Sequence, residues 1–468
     1  MVNGDLAGLI MRILILMLMA GLGFGCAREE PAESASLGAT VELTRDAADV
    51  WTAHFELPEA GPAWVFSRSA LGRMSERPWR PDSWRITTPG VRLVREGDRD
   101  VLIAEDNAPF DAFDIEITPY VDPLIADYIP FMKFSDGGMA AFTGQFVLGP
   151  ADMEAAANGE DPLGEVLEMS FVFKGAPGDS IVVNGETYDG RATYAGVETY
   201  VYFGADRPIE TDHLALLLDG EIPEWILTEL RGFLPVLMTY FADGMEAALP
   251  ARPTVYAVWG GAERDGYSQS GSVLPGFLVA SFSGKGLLEP DPGALNRLRR
   301  FYAHEAAHFW NGWTAEPREQ AEAWVHEGAA DALAIYAMSA LVDDYDREQQ
   351  ILGQLETCEK SGAGGALNEA AVEGRFGDVY SCGSLAHFLA EAALAKAGKT
   401  PFDLWAAVIR RAKADGGSYD MTLWLEELSA LSGDAPLAAL LRRYAEEGLP
   451  PEDFEMSVAA PVREMAGR

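Results

Sequence analysis

Two histidines four residues apart, His304 and His308, enclose Glu305 in the run His304-Glu305-Ala306-Ala307-His308, and Glu327 follows after eighteen further residues. Residues at i and i+4 stand one turn apart on the same face of an α-helix. Two imidazoles so placed can reach one zinc ion, and the glutamate between them is positioned to take a proton from water at that ion. A second glutamate arriving on a following helix completes a His304/His308/Glu327 ligand set for one Zn2+. Three protein ligands leave one coordination position open, which is what separates a catalytic zinc from a structural one. His326 adjoins Glu327. Helix neighbours point about 100° apart, so His326 is read as a cleft-lining or buried histidine that does not share the metal.

These residues need helices to carry them. Asp291 and Pro292 fit an N-cap and first helical position for the helix bearing the first motif, which is expected to stop at Gly312. A second helix is expected over 317–341, and its small residues Gly328, Ala329, Ala330, Ala332 and Ala334 permit close packing on the first. Helical periods recur at 383–397 and 401–414. Residues 205–289 read as mixed: helical spacing over 223–247, strands over 254–259 and 276–280, and a loop over 265–276. From 41 to 204 short apolar runs bounded by Gly, Pro, Asn and Asp indicate β structure, at 101–104, 113–117, 180–183 and 199–203. The expected fold is therefore α+β and multidomain. A β-sandwich-like domain at 41–204 precedes a catalytic domain at 205–468, with a mixed part at 205–289 and a helical part at 290–468.

The chain has 468 residues, 48% of them hydrophobic, enough for large cores. Its formal net charge is −38, from 73 acidic and 35 basic residues. Such a surface repels nucleic acid, and no basic patch interleaved with aromatics offsets it. The N-terminus reads as a targeting segment. Arg12 precedes the apolar run from Ile13 to Ala20, too short to span a membrane comfortably, and Gly25-Cys26 follows. A small residue directly before cysteine resembles a bacterial lipoprotein signal, which implies cleavage after residue 25, lipidation of Cys26 and a membrane anchor. By the same resemblance, Ala27 in place of Asp after that cysteine implies the outer membrane, with the folded part facing the periplasm; ordinary secretion is the alternative. Residues 1–26 then make up the lipoprotein-type signal segment, ending in the lipidated Cys26, and 27–40 a flexible tether. Cys358 and Cys382 remain as an even pair in an oxidising compartment, a candidate disulfide.

From His304 to Gly312, and again from Trp324 to Ala330, the sequence resembles the gluzincin zinc peptidases of the aminopeptidase N type. The eighteen-residue gap, Trp324 three residues before Glu327, and Gly328 directly after it all match. The resemblance covers about 80 residues, from Tyr302 to Gly383. It implies a thermolysin-like catalytic domain, zinc on His304, His308 and Glu327, and Glu305 as the base. It also implies that Asp331 orients His304 and that Tyr380, three residues before Gly383, stabilises the oxyanion.

One family feature is missing. At the distance where such aminopeptidases carry an acid for the substrate's free amine, this chain has Pro275-Gly276-Phe277-Leu278-Val279-Ala280, and Glu263 upstream lies in a different context. The Gly276 strand could still bind substrate backbone by strand addition. The expected activity is zinc-dependent hydrolysis of peptide bonds in peptides or proteins of the cell envelope, with exo- versus endo-cleavage and oligomeric state open. The alternatives are a non-enzymatic peptide- or partner-binding lipoprotein on the same fold and a zinc hydrolase of a non-peptide substrate.

Overall fold

The computed structural model describes residues 38–290, 292–361 and 363–467. Cys26, the signal segment and Asp291 lie outside them. The first strand begins at Ala39, inside the stretch expected as tether.

The N-terminal β part is layered. Its outer sheet has six strands, in the order Arg191–Ala195, Met169–Lys174, Ala39–Arg45, Trp51–Gly61, Phe110–Ile117 and Trp84–Ile86. Trp51, Ala53, Phe55 and Leu57 are buried while Thr52 and Glu56 are exposed, the period-2 pattern of a sheet with one face in water. The buried face meets a four-stranded sheet through Phe66, Leu102 and Leu148, and a five-stranded sheet through Phe131, Ile181, Val201 and Phe203.

The five-stranded sheet is covered on both sides. Along Tyr200–Gly204, Val201 and Phe203 face the outer sheet while Tyr200 and Tyr202 face inward. The inner partner is a mixed sheet ordered Ile209–Glu210, Ala215–Leu218, Thr254–Trp259, Phe277–Ser283 and Ser268–Leu274. Its three middle strands are parallel. Tyr256 and Val258 pack on the β part, Val255 and Ala257 on the helices. Burial on both faces is why 254–259 reads as an unbroken apolar run and not as an alternation.

Helices cover the far side. Glu224–Met245 buries Ile226, Leu227, Leu230, Leu234, Leu237, Met238 and Phe241, one helical stripe. The motif helix, Pro292–His308, and the carboxylate helix, Ala323–Leu341, pack against each other. The carboxylate helix is apolar on all sides because other helices surround it. The fold is thus α+β, with a β N-terminal part and a helical C-terminal part.

Three local expectations differ from the structure. The motif helix leaves the α-conformation at His308 and continues as a π-turn over Phe309–Thr314, where the Thr314 hydroxyl donates to the Phe309 carbonyl at 2.7 Å. The carboxylate helix starts at Ala323, not near 317, because Glu316–Pro317 pairs as a strand with Ser418–Tyr419. Residues 268–274, read as loop, form a strand paired with Phe277–Ser283.

Candidate metal centre

The motif helix sets His304 and His308 one turn apart, and the carboxylate helix brings Glu327 to the same point. Nε2 of His304 and Nε2 of His308 are 3.2 Å apart. Each lies 3.3 Å from Oε2 of Glu327. Tetrahedral ligands about zinc, at bond lengths of about 2.0–2.1 Å, are separated by about 3.3–3.4 Å. The triangle therefore has the dimensions of one face of a zinc tetrahedron. Among the described residues it is the one group of three such side chains that could hold a metal ion.

The proton positions agree. Nδ1 of His304 faces Asp331 Oδ1 at 3.1 Å, and Nδ1 of His308 faces Asn311 Oδ1 at 3.1 Å. Both partners are acceptors, so the hydrogens sit on Nδ1 and the lone pairs on Nε2. The Asn311 amide is fixed in this sense because its Nδ2 donates to the His326 carbonyl at 2.9 Å. Glu327 Oε2 has no hydrogen-bond partner. With both imidazoles neutral, three lone-pair atoms converge here, an arrangement that a cation satisfies.

Asp331 is itself held, by Gln354 at 2.9 Å and by Arg300 at 3.5 Å. Burial raises its pKa, but Arg300 and His304 bring it below the ordinary value. Burial also opposes protonation of His304, yet Asp331 and Glu327 push its pKa up to about 10 in the metal-free chain. Glu327, despite its burial, is held well below the usual carboxylate range by His308 and His304. A carboxylate kept ionised in a buried site is suited to a metal.

Glu305 and Tyr380 complete the surroundings. Glu305 is 1% exposed, and neither carboxylate oxygen has a hydrogen-bond partner. Burial raises its pKa, with His304 and His308 opposing. Tyr380 lies in a π-turn, Asp378–Cys382, that leads into the helix Gly383–Lys396. Its ring centroid is 5.8 Å from that of His304, and its buried hydroxyl has no hydrogen-bond partner. Burial, with the Glu327 and Glu305 charges, raises the phenol well above its ordinary value and keeps it a donor.

Cys358 and Cys382 are joined in a disulfide. It ties the helix Arg347–Ser361, one turn on from Gln354, to the residue two beyond Tyr380. His326 is buried with its ring centroid 4.3 Å from that of His308, and its Nδ1 is 3.4 Å from Glu327 Oε1, the oxygen turned away from the triangle. One expectation needs revision. Phe277–Ser283, which includes most of the Gly276 stretch, has strands on both sides and no free edge; the edge strand beside it is Ser268–Leu274. Asn311 was not singled out, although its place three residues after His308 is a helical-face spacing that could have flagged it.

No family model matches the chain, and no curated protein matches it. Among solved structures, the M1 zinc metallopeptidase from Deinococcus radiodurans is similar in a mutant form bound to a Tyr-Ser-Ala substrate, at 15% identity and a TM-score of 0.46, covering 89% of this chain and 97% of that one. A second structure of the M1 zinc metallopeptidase from the same organism has the same identity and score, with 88% and 94% covered. At this identity and score neither assigns an activity to the chain.

Proposed function

We propose that this protein is a zinc-dependent peptidase of the gluzincin kind. The observation that carries the proposal is the 3.2–3.3 Å triangle of His304, His308 and Glu327 donor atoms beside two buried, unpartnered groups, Glu305 and Tyr380. Zinc at those three atoms supplies Lewis acidity, which makes water easier to deprotonate and a carbonyl easier to attack. Glu305, the next residue after His304, takes the proton from the attacking water and delivers it to the leaving amine. Its unpaired oxygens and its burial suit a base whose pKa must rise toward neutrality. Tyr380 donates its hydroxyl hydrogen to the oxyanion that forms on the substrate carbonyl. Asp331 and Asn311 hold the two imidazoles in the required tautomer.

The edge strand Ser268–Leu274 offers substrate a backbone ladder beside the motif helix, against which Gly271 packs closely at Phe301. Neither it nor Phe277–Ser283 carries an acidic residue. The proposal therefore includes cleavage of peptides whose N-terminus is blocked. It also places the protein in the cell envelope, anchored through a lipid on Cys26; the disulfide supports an oxidising compartment. Metabolic labelling with palmitate, lost in Cys26→Ser, checks the anchor.

The test is mass spectrometry of products from a peptide library offered to the zinc-loaded protein with free and with blocked N-termini. Zinc content near one per chain with cleavage of both sets is expected. Bound zinc with no cleavage of any peptide would overturn the proposal.

A further inference from the structure

His326 has no part in the mechanism above, yet it is buried between two of the three candidate ligands. Its ring lies against the His308 ring, centroids 4.3 Å apart and planes at 33°. Its Nδ1 is 3.4 Å from Oε1 of Glu327, while Oε2 of the same carboxylate faces both His304 and His308. A carboxylate only accepts, so the hydrogen of His326 sits on Nδ1 when it faces Glu327. Its backbone carbonyl accepts from Asn311, whose amide oxygen holds His308. The space for the ring is set aside by Gly312 on the π-turn: a Cβ there would come within 2.9 Å of His326 Nε2.

From this placement we infer that His326 is a positioning residue for the metal centre. Resting on the metal-site reading, the inference adds a role for a residue that binds no metal. Its N–H side engages one oxygen of Glu327 and turns the other toward the imidazoles, so Glu327 offers a single ligand atom. Its ring face limits rotation of the His308 ring. The Asn311–His326 hydrogen bond and the His308–His326 ring contact join the end of the motif helix and the turn after it to the start of the carboxylate helix.

The experiment compares the full-length protein with His326→Asn, which keeps an N–H near the Nδ1 position, and His326→Leu, which keeps bulk without a donor. Zinc affinity is measured by chelator competition, and the ligand field by the visible absorption of the Co2+-substituted protein. His326→Leu is expected to lose about 10- to 100-fold in affinity, as removal of a group orienting a ligand does, with a shifted Co2+ band. His326→Asn should restore most of both. Wild-type affinity and an unshifted band in His326→Leu would overturn the inference. Should that variant not fold, Gly312→Ala, which presses on Nε2 and leaves the histidine in place, must shift the band, and an unchanged band would overturn it equally. A wild-type protein that takes up neither metal refutes the metal-site reading itself.

Discussion

Gly328 packs backbone to backbone against Gly383: a Cβ on Gly328 would lie 2.5 Å from the Gly383 carbonyl carbon. One of these glycines follows Glu327 and the other comes three residues after Tyr380. Their contact brings the Tyr380 turn close to the candidate metal ligands. Gly328→Ala is expected to destabilise the protein by about 1–3 kcal/mol, the usual cost of overpacking, and to lower kcat more than zinc affinity. Thermal unfolding and zinc titration of the variant check this; an unchanged kcat would remove the glycine contact from the account.

Under the proposed mechanism, variants of Glu305 and Tyr380 should fail differently from variants of the candidate ligands His304, His308 and Glu327. Glu305→Gln keeps the shape of the site and removes the base, so zinc binding persists while hydrolysis falls by about 10²–10⁴-fold. Tyr380→Phe removes one oxyanion donor and should lower kcat by about 10²–10³-fold with KM little changed. Steady-state kinetics of zinc-loaded variants decide; near-normal turnover by Glu305→Gln would contradict the mechanism.

Asp331 and Asn311 each hold one imidazole by its Nδ1 at 3.1 Å. Asp331→Ala and Asn311→Ala should each weaken zinc binding by about 10–100-fold. The double variant should lose more than either single one, since the two act on different histidines. Chelator competition measures all three.

His387 gives stability a pH dependence. It is buried beside Trp324 and Trp424, and burial lowers its pKa to about 3. An unfolded histidine titrates near 6.5, so between those values the unfolded chain binds the extra proton. Stability from this residue is therefore full above about pH 6.5 and declines as the pH falls, by about 2 kcal/mol between pH 7 and pH 5. Denaturant unfolding across that range should show a shallower pH slope in His387→Gln; an identical slope would rule the residue out.

The α+β architecture was legible because its long elements carry strong periods. Glu224–Met245 and Pro401–Ala414 show clear apolar stripes, and the second begins at a capping box between Thr400 and Asp403. The two motif histidines were legible because i, i+4 on any helix puts side chains together. What escaped depends on neighbours distant in sequence. Ser268–Leu274 is a strand although its first five residues are all Ser, Gln or Gly, because Phe277–Ser283 supplies its hydrogen-bond partners. Pro317 reads from the sequence as the start of a helix because its strand partner, Tyr419, lies 102 positions on. Gln354 and Arg300 converge on Asp331 from two other helices, with no motif to announce either.

The sheet that carries Tyr200 and Tyr202 shares its apolar interior with Tyr256 and Phe277 of the next layer. Cutting the chain at the end of the β part would leave the helical half with an aromatic wall bare to water, a surface prone to aggregation. The two halves share this apolar layer, so shortening the chain to its helical half should yield insoluble material.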